Sequence, residues 1–313
     1  MDNRILGIHH ITAIAGDAKR NFDFYTKTLG LRFIKRTVNF DDPQTYHFYF
    51  GDREGTPGTI LTFFPWGSAV RQGRRGAGMA TEIGYAVPDG SFDFWIKRFE
   101  AHNVLYNKPA ERMGEKYLSF LDPDGLKLEL IIPATADKRI PYETDEVSAA
   151  VATRGFHNTT LTLNDIKPTA EILTAVFGYK LIGQEVNRYR YATEAIATAN
   201  IIDLVELPSE KPGLGANGTV HHIAFRVKDD ETQLAFREKI VERGLHITPQ
   251  IDRNYFHSLY FREPGGVLFE IATENPGFTV DESVEELGKN LKLPAQFESR
   301  RKEIEKNLER IDA

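Results

Sequence analysis

The amino-acid sequence predicts an α+β fold in which four βαβββ modules pair into two half-barrel cups. One observation is internal repetition: a short alternating strand, an amphipathic helix and further strands recur four times along the chain. The four copies begin at Gly7, Thr81, Gly155 and Val220. The second observation is physical. One such unit cannot bury the face of its own sheet, so the units must join in pairs that curve around a concave interior.

The repeat also divides the chain of 313 residues into segments. Residues 1–133 are predicted to form an N-terminal domain of two modules, and residues 154–274 a C-terminal domain of two modules. The charged, Pro-containing stretch 134–153 is interpreted as a linker. Residues 275–313 are interpreted as a tail, with a helix predicted at 295–308.

Each helix is predicted from a cap, an apolar spacing and a stop. An Asp or Asn is expected to cap the helix of every copy, as Asp17 does in copy one, where Gly30 is the stop. In copy four the stop is Gly244, and Leu234 and Ile240 are expected to face the core. The apolar faces of the other helices are predicted at Phe22, Tyr25 and Leu29; at Phe92, Trp95 and Phe99; and at Ile172 and Val176.

Copies two and four end in the same way. Residues 117–130 read YLSFLDPDGLKLEL and residues 259–271 read LYFREPGGVLFEI. Each stretch predicts a strand, a Pro-Gly turn and a second strand whose penultimate residue is a glutamate, Glu129 or Glu270. Copies one and three close less regularly, so these two glutamates single out copies two and four.

Composition excludes several classes of protein. Hydrophobic residues make up 41% of the chain and charged residues 27%, which is typical of a globular domain. The net charge of −6 and the pI of about 5.9 do not favour nucleic acid as a partner. The absence of cysteine removes disulfides, thiolate ligands and a Cys nucleophile. Without a signal peptide or an apolar run long enough to span a bilayer, a cytoplasmic location is expected and no membrane partner. A homo-oligomer is left open.

Histidine doublets occupy the first strands of copies one and four, at 9–10 and 221–222. Successive side chains of a strand face opposite sides, so only one histidine of each doublet can point into a cup. Two imidazoles and one carboxylate on one face of a metal ion form the facial triad of non-heme Fe(II) oxygenases. With Glu270 at the matching hairpin, the sequence predicts a metal site.

These strand-initial histidines, capped helices and Pro-Gly hairpins ending in Glu resemble the vicinal-oxygen-chelate superfamily. The final hairpin is similar to the signature of type I extradiol dioxygenases. The doubled His-His-Ile, the GRRGAG stretch at 73–78 and the C-terminal LPAQFESRRKEIEKNL resemble the hydroquinone-cleaving branch, the PcpA-like and MhqO-like dioxygenases. The resemblance covers nearly the whole chain. It implies the vicinal-oxygen-chelate fold and a ring-cleaving reaction with an aromatic diol and O2.

The resemblance also implies roles for individual residues. The metal ligands would be His10, His222 and Glu270, holding Fe(II), although Mn(II) fits the same geometry. His9, Thr12 and His221 would belong to the hydrogen-bond network around the ligands. Tyr260 would contact the substrate. If His10 and Glu270 share one site, then copies one and four must share one cup.

A different pairing of the copies is also open. If copies three and four share the working cup, His157, taken as the copy-three counterpart of His10, replaces it as a ligand. If copies two and three form the other cup, that cup offers His157, Glu82 and Glu129. Such a group is interpreted as a vestigial site, a weaker second metal site or a polar rim.

Arg253 marks a departure from the catechol-cleaving pattern. The extradiol signature places a histidine in this part of the chain, whereas the hydroquinone branch has an arginine. A permanently charged guanidinium can hold a substrate oxygen or stabilise negative charge, but it is no ordinary acid or base. A hydroquinone-like substrate is therefore expected. The alternatives are a glyoxalase-type isomerase and a small-molecule sequestering protein. Six aromatic residues are assigned either to a pocket or to the core: Phe48, Phe50, Phe63, Phe64, Trp66 and Phe225.

Overall fold

The computed structural model describes residues 4–311, which form sixteen strands and five α-helices. The strands are, in chain order, β1 (Ile8–Ala15), β2 (Arg32–Val38), β3 (Tyr46–Gly51), β4 (Ile60–Pro65), β5 (Met79–Ala86), β6 (Ala110–Arg112), β7 (Glu115–Leu121), β8 (Lys127–Ile132), β9 (Phe156–Leu163), β10 (Lys180–Glu185), β11 (Arg188–Ala192), β12 (Ile201–Glu206), β13 (Thr219–Val227), β14 (Ile251–Asp252), β15 (His257–Arg262) and β16 (Leu268–Thr273). The helices are α1 (Ala18–Asp23), α2 (Phe92–Ala101), α3 (Lys167–Glu171), α4 (Asp230–Glu242) and α5 (Arg301–Asn307).

The strands form two eight-stranded sheets, each built from two copies of the repeat. The first sheet has the order β14-β15-β16-β13-β1-β4-β3-β2, and the second has the order β10-β11-β12-β9-β5-β8-β7-β6. The first sheet therefore joins copies one and four, and the second joins copies two and three. This confirms the predicted fold class and the arrangement in which copies one and four share a cup.

The centre of each sheet is an antiparallel pair of first strands. In the first sheet β1 pairs with β13, and Thr12 lies opposite His222. In the second sheet β5 pairs with β9, and Glu82 lies opposite Thr160. The strand that carries the hairpin glutamate runs parallel to the first strand of its copy, since β16 pairs with β13 and β8 with β5. The strands that form the two cups are thus paired in equivalent ways.

The helices pack on the convex faces of the sheets. Tyr25, Trp95, Phe99 and Val176 are buried, as their spacing predicts. The N-caps follow the prediction in only two copies. The Asp17 carboxylate accepts a hydrogen bond from the Arg20 N–H, and Asp229 caps α4 in the same way. The caps of α2 and α3 are Ser91 and Ile166, and neither makes a side-chain cap hydrogen bond.

Helix α4 departs from the prediction in its core residues. Ile240 is buried, but Leu234 is 44% exposed. Phe236 takes the core position instead and packs against Phe177, with ring centroids 5.9 Å apart. The spacing from Phe236 to Ile240 is one helical turn, so these two side chains define the buried stripe and Leu234 falls outside it.

Most of the six aromatic residues that the sequence left open belong to the core. Phe48, Phe50, Phe63 and Phe225 are fully buried in the main hydrophobic cluster. Side-chain alternation along a strand explains the division, because Phe64 follows Phe63 and therefore faces the opposite side of β4. Phe64 and Trp66 are the two that reach the concave face of the first sheet.

The tail closes over the first sheet. Residues Ala295–Arg300 form a 3₁₀ helix that leads into α5, so the helix predicted at 295–308 has two parts. Upstream of it, the fully buried Lys35 of β2 donates to the carboxylates of Asp281 and Glu282. Phe278 packs on Tyr49 and Tyr255, with ring centroids 5.1 and 5.0 Å apart.

The segment 134–153 contains no helix or strand. Among residues 4–311, no helix has the length and apolarity needed to span a membrane.

Replacing Phe236 with Ala should destabilise the protein by about 3–5 kcal/mol, because the change empties a core position. Replacing Leu234 with Ala should change the free energy of unfolding by about 0.5 kcal/mol or less, since its side chain is largely in solvent. Urea unfolding of both variants measures these values. A larger loss in Leu234→Ala than in Phe236→Ala would show that the helix buries the face expected from sequence.

Candidate metal centre

Three buried side chains converge on the concave face of the first sheet. His10 on β1, His222 on β13 and Glu270 on β16 have ligand atoms that all lie within 4.8 Å of one another. The Nε2 atom of His222 is 2.9 Å from Oε2 of Glu270, and that of His10 is 3.3 Å away from the same oxygen. This is the one such group of three in the part of the chain that the structure describes. Neighbouring strands therefore bring together the three residues that the sequence singled out.

Each histidine doublet fixes the direction of its inner ring. Nδ1 of His9 lies 2.9 Å from Nδ1 of His10, and Nδ1 of His221 lies 2.7 Å from Nδ1 of His222. With Nδ1 engaged, the Nε2 atoms of the inner histidines are directed at Glu270. The other carboxylate oxygen of Glu270 accepts a hydrogen bond from Ser258, a residue that the sequence reasoning missed.

The protonation states of the group suit a metal ion. Burial lowers the pKa of His222 and lowers that of His9 well below its ordinary value, so both imidazoles are neutral at pH 7. Burial alone would raise the pKa of Glu270, but His10 and His222 hold it well below the ordinary range, so it remains a carboxylate. Neutral imidazole and ionised carboxylate are the forms that bind metals.

Two buried atoms of this group also lack hydrogen-bond partners, which fits the binding of a metal ion. Nε2 of His222 and Oε2 of Glu270 are buried, yet neither has a hydrogen-bond partner of acceptable geometry. Buried polar atoms of this kind are rare in folded proteins and call for a partner. Two imidazole nitrogens and a carboxylate oxygen are the donor set of an Fe(II) or Mn(II) facial triad.

A cavity of about 390 Å³ opens beside this group. Its size falls within the range of small-molecule sites. His10 and His222 form part of its floor, and six Phe, Tyr and Trp side chains form part of its wall. The aromatic wall consists of Phe40, Tyr49, Phe64, Trp66, Phe256 and Tyr260. Phe256 lies against the His10 ring with centroids 4.9 Å apart, which packs the wall directly onto the candidate ligand.

Arg253 and Tyr260 lie together at the cavity. Nε of Arg253 donates to the Tyr260 hydroxyl at 3.3 Å, and its guanidinium lies over the Tyr260 ring. Both terminal nitrogens reach the Asp41 carboxylate at 3.4 Å. Burial would lower the pKa of Arg253, but Tyr260 and Asp41 raise it, so the cation is kept. Burial and the nearby Glu270 raise the pKa of Tyr260, so the phenol keeps its proton.

Two cavity residues on β3 escaped the sequence reasoning. His47 and Tyr49 line the cavity together with His10, and the Tyr49 hydroxyl is 2.9 Å from Nδ1 of His47. A signal was available, because polar aromatic His47 and Tyr49 alternate with Phe48 and Phe50 along one strand. That alternation indicates one apolar and one polar face. Thr12 bonds with Thr62 at 2.8 Å rather than with a candidate ligand.

The second cup contains ion pairs and has neither of the inner histidines of the first cup. The register places Glu82 at the position equivalent to His222, and Asn158 at the position equivalent to His10. The equivalence drawn from sequence between His157 and His10 is therefore wrong: His157 precedes Asn158 as His9 precedes His10. Nε2 of His157 lies 2.9 Å from Oε2 of Glu115.

The carboxylates of the second cup are neutralised by basic side chains. Glu129 accepts two hydrogen bonds from the Arg112 guanidinium. Glu82 forms ion pairs with Lys127 and Arg188 at 2.5 and 2.9 Å. Burial would raise the pKa of Glu82, but Arg188, Lys127 and Arg112 lower it to about 2. Permanently charged side chains thus pair with these glutamates, whereas imidazoles lie against Glu270.

The fold and this site define a class of proteins: paired βαβββ modules with a polar group in the concave face of a sheet. The chain belongs to the Glyoxalase/Bleomycin resistance protein/Dioxygenase superfamily, which it matches over residues 7–130 and 155–271.

Named relatives cover nearly the whole chain. The protein is 47% identical over 308 residues to "Putative ring-cleaving dioxygenase MhqO" of Bacillus subtilis, covering 98% of this chain and 97% of the relative. It is 38% identical to the chlorohydroquinone/hydroquinone 1,2-dioxygenase of Sphingobium indicum, covering 97% of this chain and 96% of the relative. A crystal structure of a "putative dioxygenase" from Bacillus subtilis superposes with a TM-score of 0.94 at 46% identity, covering 99% of this chain and 98% of that one.

The ionisation of Glu115 should make the stability of the folded protein depend on pH in the acid range. Burial would raise its pKa, but His157, the Ala134 N–H and Arg190 lower it to about 2 from an ordinary value of 4.5. A carboxylate with a depressed folded-state pKa stabilises the protein above its unfolded pKa, and this contribution is lost as pH falls towards the folded value. The stability difference between wild type and Glu115→Gln should therefore be largest near pH 7 and shrink below about pH 4.5.

Urea unfolding at a series of pH values measures this difference. Glu111→Gln is the matched control, because Glu111 is exposed on the adjacent strand β6. If the stability difference for Glu115→Gln stays constant from pH 7 to the acid limit, the pKa of Glu115 is not lowered in the folded protein.

Proposed function

We propose that this protein is a non-heme, Fe(II)-dependent dioxygenase that opens the ring of hydroquinone-like aromatic diols with O2. The observation that carries the proposal is the convergence of His10, His222 and Glu270 beside a cavity that the two histidines line together with six aromatic side chains. Mn(II) suits the same ligand set. Relatives named as ring-cleaving dioxygenases, including one that acts on hydroquinone, support the same reaction class.

A bound metal ion would supply the activation of O2 that side chains lack. His10, His222 and Glu270 would hold it on one face. His9 and His221 hold the two ligand rings through their Nδ1 atoms, and Ser258 holds the carboxylate. These contacts fix the ligand set before any metal binds, which is the role expected of such outer partners.

The cavity wall suits a flat, apolar ring. Phe64, Trp66 and Phe256 would exclude water from the ring and hold it by stacking and edge contacts. Tyr260 would donate its hydroxyl proton in a hydrogen bond to a substrate oxygen, since its raised pKa keeps the phenol protonated. Arg253 would stabilise negative charge that develops on the substrate, because the guanidinium remains charged.

The metal ligands can be tested together with the activity. Protein loaded anaerobically with Fe(II) should consume O2 on addition of methylhydroquinone or chlorohydroquinone. His10→Ala should lose both the bound iron and the oxygen uptake, because one of three ligands is gone. His157→Ala is the matched control, since it removes a buried histidine from the second cup, and it should keep both. Iron content by mass spectrometry and an oxygen electrode give the two measurements.

Absence of O2 uptake with every para- and ortho-diol would refute the dioxygenase. Conversion of the methylglyoxal hemithioacetal by the same preparation would indicate an isomerase instead. Iron lost from His157→Ala and kept by His10→Ala would move the metal site to the second cup.

Arg253→Met should lower kcat by about 100-fold, because one charge-stabilising donor at the reacting substrate is removed. The iron content should stay unchanged, since Arg253 contacts Tyr260 and Asp41 rather than the candidate ligands. Arg243→Met is the control, as Arg243 is exposed at the end of α4. Steady-state oxygen uptake compares the variants. Equal kcat for the two variants would remove Arg253 from the reaction.

A further inference from the structure

Four polar side chains from three adjacent strands are hydrogen-bonded in series across the first cup. The Tyr49 hydroxyl is 2.9 Å from Nδ1 of His47, and Nε2 of His47 is 2.9 Å from Oγ1 of Thr62. Oγ1 of Thr62 is 2.8 Å from Oγ1 of Thr12. We call Tyr49, His47, Thr62 and Thr12 the Tyr49 chain. It starts at the cavity and ends on β1, two residues after His10.

The main hydrophobic cluster does not include these four side chains, although the Tyr49 ring also packs in a smaller cluster with Tyr255 and Phe278. The core side of β3 is supplied by Phe48 and Phe50, which are fully buried in the main hydrophobic cluster. His47 and Tyr49 face the opposite side, into the cavity that also contacts His10. Aliphatic side chains would fill this face without polar groups to satisfy. A buried run of hydrogen-bonding groups that ends at a cavity indicates recognition of a polar ligand atom.

The Tyr49 chain carries no net charge. Burial lowers the pKa of His47 well below its ordinary value, and His10 and His222 lower it further. Burial, with Tyr260 and Glu270, raises the pKa of Tyr49 well above its ordinary value. The imidazole and the phenol are therefore both neutral near pH 7.

A neutral chain of this kind has two hydrogen-bond directions. If Nδ1 of His47 is unprotonated, the Tyr49 hydroxyl donates to it and the phenol oxygen can accept from a ligand. If Nδ1 carries the proton, it donates to the phenol oxygen, and the Tyr49 O–H is free to donate to a ligand. A hydroxyl group on the ligand satisfies either direction because it both donates and accepts. A methyl group in the same place satisfies neither.

The position of β3 distinguishes the two hydroxyl groups of a diol. The strand order β1-β4-β3 places β3 two strand spacings from β1, or about 10 Å between backbones. With one oxygen held at the candidate metal ligands, a para hydroxyl projects across the ring towards a wall of the cavity. An ortho hydroxyl would stay beside the ligands.

We propose that Tyr49 binds the second hydroxyl of a para-diol, the one not held at His10, His222 and Glu270, and that His47 positions Tyr49 for this contact. The inference rests on the proposed function, because it takes an aromatic diol as the substrate. It assigns Tyr49 to substrate recognition and His47, through its bonds to Tyr49 and Thr62, to positioning.

Anaerobic binding tests the assignment without turnover. Trp66 lines the cavity, whereas Trp95, the other tryptophan, is buried on α2 and bonded to Val151, so quenching of Trp66 fluorescence reports ligand binding. The probes are hydroquinone and 4-methylphenol, which have similar size but differ in the second hydroxyl. Tyr49→Phe should weaken hydroquinone binding about three- to tenfold, the effect of one lost neutral hydrogen bond, and leave 4-methylphenol binding unchanged.

Two further variants separate recognition from a structural role. Tyr46→Phe removes a buried phenol from the other face of β3, where its hydroxyl donates to the Glu309 carbonyl, and should not change the preference for hydroquinone. Thr62→Val breaks the Tyr49 chain beyond His47 and should reduce the preference less than Tyr49→Phe does.

Each outcome bears on a different claim. Equal weakening of both probes by Tyr49→Phe, or an unchanged preference for hydroquinone, would overturn the assignment of Tyr49 while wild-type O2 uptake upheld the dioxygenase. A wild-type protein that binds neither probe and consumes no O2 would overturn the proposed function and, with it, this inference. Selective loss of hydroquinone binding in Tyr49→Phe alone among the phenylalanine variants supports it.

Discussion

The antiparallel pairing of β1 with β13 is the contact on which the rest of the first cup depends. It joins the first copy of the repeat to the last, and its register sets Thr12 opposite His222. His10 and His222 thereby lie on neighbouring strands with ring centroids 5.6 Å apart. Parallel pairing of β13 with β16 then adds Glu270 from the next strand. A shift of one residue in this register would turn one of the two inner histidines to the opposite face.

The two cups have the same strand arrangement but surround their buried carboxylates with different partners. In the second cup Glu129 and Glu82 are neutralised by Arg112, Arg188 and Lys127, so the charges balance within the protein. In the first cup the equivalent Glu270 faces two imidazoles, and buried atoms are left without hydrogen-bond partners. Burying a charge costs free energy unless it is paired. Among residues 4–311, the ion-pair partners of Glu270 are imidazoles, whereas those of Glu82 and Glu129 are permanently charged.

The sequence alone predicted much of the fold, because the repeat fixed the number of modules and the doublets marked two of them. It was less successful with single side chains. Leu234 was assigned to the core on helical spacing, but the stripe of α4 is set by Phe236 and Ile240, which tertiary packing selects. His157 was matched to His10, yet the strand register places Asn158 there. Phe278 packs on Tyr49 from the tail, a contact with no local sequence signal.

By itself the sequence determined the chemistry available: paired histidines, a hairpin glutamate and the arginine at position 253. These are local patterns, readable because side-chain alternation and turn composition act over a few residues. Only the tertiary structure decided which copies share a cup, which histidine of each doublet points inward, and that His47 and Tyr49 join the site. Those outcomes depend on strand pairing between residues distant in the chain, and no local preference encodes that pairing.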